Sequence, residues 1–401
     1  MIGLRAFLAL LLLSTLSPAA GASGFDGSWT TTFGEMQLAE STAGVRGRYV
    51  MDGQTCTIEG RRDGDTLIFT YQEPSAGGEG RFRLSADGAS FEGEWRSKGS
   101  SRWLPWKGSR PEAGPAPEGF EGLWDTDFGR LRLSRKGDSM EGPYSVGEGR
   151  IVGKVFGREL AFRYKDTQEG SGEFTLSEDG STFDGTWRPD KAKEAKPWRG
   201  WRVKPQPYRR WLYVIETRWE HSLTDREYTY GDMLKTFFNR APHVEVRQRF
   251  FSDRRSLVKW LKEAAFLAEP VVVYISSHGS TEGVDSDDGP VGAAPIVDAL
   301  RDAPTVKLLH FGACDVMRGR VASDIQAGLA KSGLRYPVSG FLESVDWAGS
   351  AVTDETYLEL VLGRDYDPVL AVDETTRLLP FSKPGGMDGP FGKIGLVLRR
   401  P

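Results

Sequence analysis

The chain has 401 residues, with 39% hydrophobic and 27% charged side chains and a formal net charge of -4 at pH 7. That length predicts two or three domains. Interspersed charge of both signs excludes the basic footprint that nucleic acid or an acidic membrane selects, and two cysteines, Cys56 and Cys314, exclude a disulfide scaffold.

Residues 1–22 read as a secretory signal: Arg5 opens it, Ala6 to Leu13 is apolar, and Ala20-Gly21-Ala22 offers small residues for cleavage. No later stretch reaches the roughly 20 apolar residues of a membrane-spanning helix. The expectation is an exported protein, secreted or periplasmic, with no membrane span.

An internal repeat follows, residues 24–108 and 119–203, joined by a Pro-rich linker at 109–118. Gly24-Phe25-Asp26-Gly27-Ser28-Trp29 recurs 95 positions later as Gly119-Phe120-Glu121-Gly122-Leu123-Trp124. Leu67, Phe69 and Tyr71 correspond to Leu160, Phe162 and Tyr164, and this alternation puts three large groups on one face of a strand. Asp87-Gly88 and Asp179-Gly180 mark matching hairpin turns. Each copy is predicted to be an antiparallel, barrel-like meander of six or seven strands that hides its edges by closure. Trp103, Trp106, Trp198 and Trp201 are open to two roles, as a surface platform for an unknown ligand or as packing at the barrel ends, and packing is the expectation. Cys56 has no counterpart in the second copy and is assigned to the core.

Beyond about residue 208 the pattern changes to apolar runs separated by helical periods, which predicts a mainly parallel sheet flanked by helices over 208–401. Strands are expected at 211–215, 244–251, 271–275, 306–311 and 337–341. Helices are expected around Met233 to Phe238, from about Ser252, from Pro295 to Leu300, from Val321 to Leu329 and from Ala351 to Leu362. The helix around Met233 is predicted to turn Met233, Leu234, Phe237 and Phe238 to the core. Two strands end in chemistry: Val271–Ile275 runs into Ser276-Ser277-His278-Gly279, and Val306–Phe311 into Gly312-Ala313-Cys314-Asp315. The 36 residues between His278 and Cys314 leave room for one loop, one helix and one strand, the right-handed crossover that makes parallel strands neighbours. Both side chains then meet at the carboxyl ends of strands, where open parallel sheets carry their sites.

An apolar strand ending in His-Gly, followed by one ending in Ala-Cys, resembles the caspase-like cysteine peptidases: caspases, metacaspases, clostripain and the CHAT domains. The resemblance covers roughly residues 211–362. It implies a cysteine endopeptidase acting on a peptide or protein substrate without a cofactor, with Cys314 as nucleophile, His278 as proton donor to the leaving amine, and the N–H groups of Gly279 and Cys314 as the oxyanion hole. Several relatives cleave after basic residues through a pocket carboxylate, for which Asp285, Asp315 and Asp346 are candidates here, with Asp225 nearby. Gly312-Ala313-Cys314-Asp315 departs from the caspase pattern Gln-Ala-Cys-x-Gly, so specificity for aspartate is not implied. The alternative is an inactive scaffold of the same fold whose repeats do the binding. His310, inside its strand, is expected to be structural. The acidic loop 282–288 lacks the spacing of an EF-hand, and no cluster of ligands predicts a metal.

Overall fold

The computed structural model describes residues 24–41, 44–51, 54–110, 119–206, 209–220, 222–385 and 392–401. The proposed signal, most of the linker and His221 lie outside the described residues.

The first repeat is a closed antiparallel barrel of eight strands. Its first strand, Gly27–Thr31, pairs with Gly34–Ser41 and closes on Leu104–Ser109 through Thr30 and Thr31. Eight strands exceed the six or seven expected. Inside, Phe25, Trp29, Tyr49, Phe69, Phe82, Phe91 and Trp106 are buried around Cys56, and Trp106 meets Phe33, Tyr49, Phe69 and Phe82 edge-on. Phe69 explains a neighbouring glycine: a Cβ at Gly80 would lie 2.3 Å from its ring.

The second repeat forms a ring of the same design: Glu169–Leu176, Glu159–Lys165, Gly149–Phe156, Ser139–Tyr144, Gly129–Lys136, Gly122–Thr126, Gly200–Arg202 and Thr182–Pro189, the last pairing back to Glu169–Leu176. Trp198 here sits edge-on to Phe128, Tyr144 and Phe162. Trp106, Trp198 and Trp201 are interior, at 2%, 2% and 3% exposure. They are therefore packing residues and offer no surface platform. Trp103 lies under the guanidinium groups of Arg81 and Arg96, at 5.4 and 4.6 Å.

The chain packs as two units. One holds the first barrel with Phe174–Gly185 and Arg199–Trp201; the other holds Phe120–Glu173, Thr186–Trp198 and everything from Arg202 onward. Within the first, Asp179 accepts from the Ser28 N–H at 2.8 Å, and Asp26 accepts from the Glu40 N–H and the Thr182 hydroxyl, each at 3.2 Å. Burial pushes the Asp26 carboxyl up to about 6, its hydrogen bonds offsetting only part of the effect. Within the second unit, Arg132 donates to the carbonyls of Ala265 (2.8 Å) and Leu267 (2.7 Å), and Arg150 pairs with Asp302 at 2.6 Å. Burial pulls the Arg132 guanidinium down to about 10.

The C-terminal region is a mixed six-stranded sheet with helices. Its strands are β1 (Arg210–Thr217), β2 (Val244–Phe251), β3 (Val271–Ser276), β4 (Val306–Gly312), β5 (Val338–Phe341) and β6 (Leu396–Arg399), in the order β2-β1-β3-β4-β5-β6. All neighbours are parallel except β6, which runs antiparallel to β5. The helices are α1 (Tyr230–Phe238), α2 (Arg254–Lys262), α3 (Ala293–Leu300), α4 (Val321–Ala330), α5 (Trp347–Leu358) and α6 (Pro368–Leu378). β3 is buried along its whole length, as a central parallel strand must be.

Several boundaries differ from expectation for local reasons. Helix α1 buries Tyr230, Leu234 and Phe238, spaced by four, and leaves Phe237, one residue off that line, 41% exposed. Asp253 rather than Ser252 caps α2, because it forms a reciprocal box with Ser256. Asp346 caps α5, so that helix starts four residues before the expected Ala351. No described helix is long and apolar enough to cross a membrane.

Candidate functional site

Parallel pairing decides where the two strand-end motifs meet. Ser276 of β3 lies opposite Gly312 of β4, so His278 and Cys314 are each two residues past partnered positions, at one rim of the sheet. The loops touch: a Cβ at Gly279 would stand 2.7 Å from the Cys314 carbonyl oxygen, 2.9 Å from Val316 and 3.0 Å from Ala313. Only a residue without a side chain allows that approach.

Cys314 is a free, half-exposed thiol. The backbone N–H of Val345 points at its Sγ from 3.3 Å, with the Ser344 hydroxyl 3.9 Å away. Asp315 follows in the left-handed region (φ 60°), which an aspartate tolerates better than most residues. Its N–H donates to the Glu343 carbonyl, and Arg318 spans the Asp315 and Glu343 carboxylates at 3.1 and 2.6 Å.

His278 is exposed and stands edge-on to Trp219, ring centroids 5.0 Å apart. Trp219 leads a cluster that sequence reasoning missed. Trp347 contacts it at 6.2 Å, and Tyr228 and Tyr230 pack on Trp347 at 4.7 and 4.1 Å. Tyr228 and Trp347 remain 44% and 40% exposed, so the cluster presents an aromatic wall beside the imidazole. A signal was available: Trp219 follows the end of β1 by two residues, the offset at which His278 and Cys314 follow theirs.

The three candidate pocket carboxylates differ in their commitments. Asp346 accepts from the N–H groups of Ala348 (2.9 Å) and Gly349 (3.1 Å) as the α5 cap, and Asp315 faces Arg318. Asp285 is tied by its backbone, through its N–H to the His278 carbonyl and its own carbonyl to the Ser277 hydroxyl. Asp225 closes an exposed turn on Ser222. Among the described residues no group of His, Cys, Asp and Glu could hold a metal ion.

A second polar cluster lies beneath the rim. His310 is fully buried, with Nδ1 2.7 Å from the Ser339 hydroxyl and Nε2 2.9 Å from Asp354 Oδ1, while the Tyr274 hydroxyl donates to Asp354 Oδ2 at 2.7 Å. Burial pushes the Tyr274 phenol well above its ordinary value, so it remains a donor. Nearby, buried Glu216 accepts from the N–H groups of Tyr230 and Gly231 at the start of α1, and burial raises its carboxyl.

No family model matches the chain, and no curated protein matches it. Among solved structures, it aligns with a double mutant of the vaccine antigen transferrin binding protein B from Haemophilus parasuis at 12% identity and a TM-score of 0.20, over 45% of each chain. It also aligns with a quadruple mutant of the alpha-N-acetylgalactosaminidase NagBb from Bifidobacterium bifidum at 8% identity and a TM-score of 0.14, over 76% of this chain and 75% of that one. TM-scores this low do not establish a shared fold.

Proposed function

We propose that the sheet domain is a caspase-like cysteine endopeptidase of an exported protein, with Cys314 as nucleophile and His278 as its acid–base partner. The observation that carries this reading is the register of β3 and β4, which brings an imidazole loop and a thiol loop into contact at one rim through Gly279.

The chemistry is acyl transfer. The Cys314 thiolate adds to the peptide carbonyl carbon, and the negative charge that collects on the carbonyl oxygen is taken by backbone N–H groups, by resemblance those of Gly279 and Cys314. As the C–N bond breaks, His278 delivers a proton to the departing amine. Water, deprotonated by the now neutral imidazole, then hydrolyses the thioester and restores the thiol. Trp219 limits the rotation of the imidazole, and the exposed faces of Tyr228 and Trp347 supply contact area for the substrate chain. With Asp346 capping a helix and Asp315 facing Arg318, Asp285, whose backbone N–H meets the His278 carbonyl, is the candidate carboxylate for a basic substrate side chain.

An acyloxymethyl ketone probe tests the assignment. Covalent labelling and peptide turnover are expected in the wild type, with labelling lost and turnover reduced at least about a thousandfold in Cys314→Ala. Equal labelling of the variant, or no cleavage of a diverse peptide library by the wild type, removes the peptidase reading and leaves a scaffold.

A further inference from the structure

The buried cluster below the rim bears a fixed relation to the site above it. Tyr274 and His310 are register partners on β3 and β4, and each lies four residues before its strand's rim residue, His278 or Cys314. Their rings stack at 5.4 Å and 23°. Both are held by one carboxylate, Asp354, which is fully buried on α5. That helix is anchored again near its start, where the Tyr230 and Ser350 hydroxyls meet at 2.6 Å, and the residues leading into it place the Val345 N–H on the Cys314 sulfur.

A buried carboxylate and imidazole are a costly way to hold four elements together. Apolar side chains of similar volume fill such a space at equal or lower free energy, whereas hydrogen bonds of 2.7 to 2.9 Å fix direction and offset as apolar contacts do not. His310 is held at both ring nitrogens, Nε2 by Asp354 and Nδ1 by Ser339, so the cluster fixes β3, β4, β5 and α5 in one arrangement.

We propose that Asp354 is a positioning residue: through Tyr274 and His310 it sets the relation between the His278 imidazole and the Cys314 thiol. The proposal rests on the reading of those two residues as a working pair, and its test is independent of proteolysis. The readout is the rate at which iodoacetamide alkylates Cys314, compared with and without His278→Ala in two backgrounds. In the native background His278→Ala is expected to change the rate at least about fivefold, because imidazole and thiol are coupled. In the triple variant Tyr274→Phe, His310→Leu, Asp354→Leu, which keeps an apolar core, the same substitution is expected to change it less than about twofold. An equal factor in both backgrounds, or no effect of His278→Ala in either, overturns the proposal. If the triple variant does not fold, Asp354→Asn replaces it, keeping the volume while leaving one acceptor oxygen where the carboxylate offers two, so that the bond to Tyr274 or the bond to His310 is lost or reversed; the coupling is expected to fall to less than half, and an unchanged factor overturns the proposal. Coupling that persists in a protein that cleaves no peptide sinks the peptidase reading and leaves the clamp standing.

Discussion

The barrels and the sheet domain handle polar groups in opposite ways. Each barrel fills its interior with the same aromatic figure: Trp106 with Phe33, Tyr49 and Phe69 in the first, Trp198 with Phe128, Tyr144 and Phe162 in the second. The acidic partners of Tyr49 and Tyr144, Glu73 and Asp166, also repeat, each at 2.7 Å. The sheet domain instead carries a polar cluster into its core and a thiol and an imidazole to its rim. Duplicated packing of this kind makes a module, whereas the unrepeated polar groups are where chemistry is to be sought. Outward positions of the barrels follow the same logic: Arg132 occupies the place of Gln37 in the first barrel, and in the second unit it is Arg132 that reaches the carbonyls after α2.

Three measurements break or sharpen this contrast. The largest effect is expected at Arg132. Arg132→Ala removes two charge-assisted hydrogen bonds and strips the Ala265 carbonyl of the Arg132 donor, while the Leu267 carbonyl keeps the Thr305 hydroxyl, a loss of about 3 kcal/mol in urea unfolding of the second unit. Lys107→Ala in the first barrel, whose exposed side chain pairs only with the exposed Glu92 carboxylate, should cost less than about 1 kcal/mol. Equal losses at the two sites would erase the distinction between module and anchor.

Next comes Asp26. Its carboxyl titrates near 6 when folded against 3.8 for the ordinary group, so the folded state holds the proton more tightly. Stability is then greatest below the lower value, falls as pH rises through this window, and is lower by up to about 3 kcal/mol above it. Asp26→Asn should flatten that slope and raise the melting temperature of the first barrel at pH 7.5. An unchanged pH profile would show that the carboxylate is charged at no cost.

The smallest effect is expected at the aromatic wall. Trp347→Ala should raise KM for peptide substrates roughly three- to tenfold, about 1 kcal/mol of contact, with little change in kcat. A fall in kcat alone would make Trp347 a support for His278 and not a substrate contact.

How much of this was legible in the sequence follows from the range of each interaction. The repeat, the parallel strands and the His278–Cys314 rim could be read because alternation, turn residues and crossover length are local properties. The strand count of each ring, expected at six or seven and found to be eight, was underestimated because closure is a long-range pairing that no local pattern announces. β6 and α6 went unassigned, and β6 joins the sheet only through β5. His310 was rightly kept inside its strand, but its partners Ser339 and Asp354 stand 29 and 44 residues away, and nothing in their spacing announces the contact. The aromatic wall was missed because Trp219, Tyr228 and Trp347 come from separate segments that only the folded rim assembles.

Gly279 has a mechanical consequence. Where its α-carbon faces the Cys314 carbonyl and the Val316 and Ala313 side chains, Gly279 has no side chain of its own to rotate aside, so its main chain bears directly on the thiol loop. Pressure on one loop is passed to the other without slack, and a peptide wedged against either would shift both halves of the rim together.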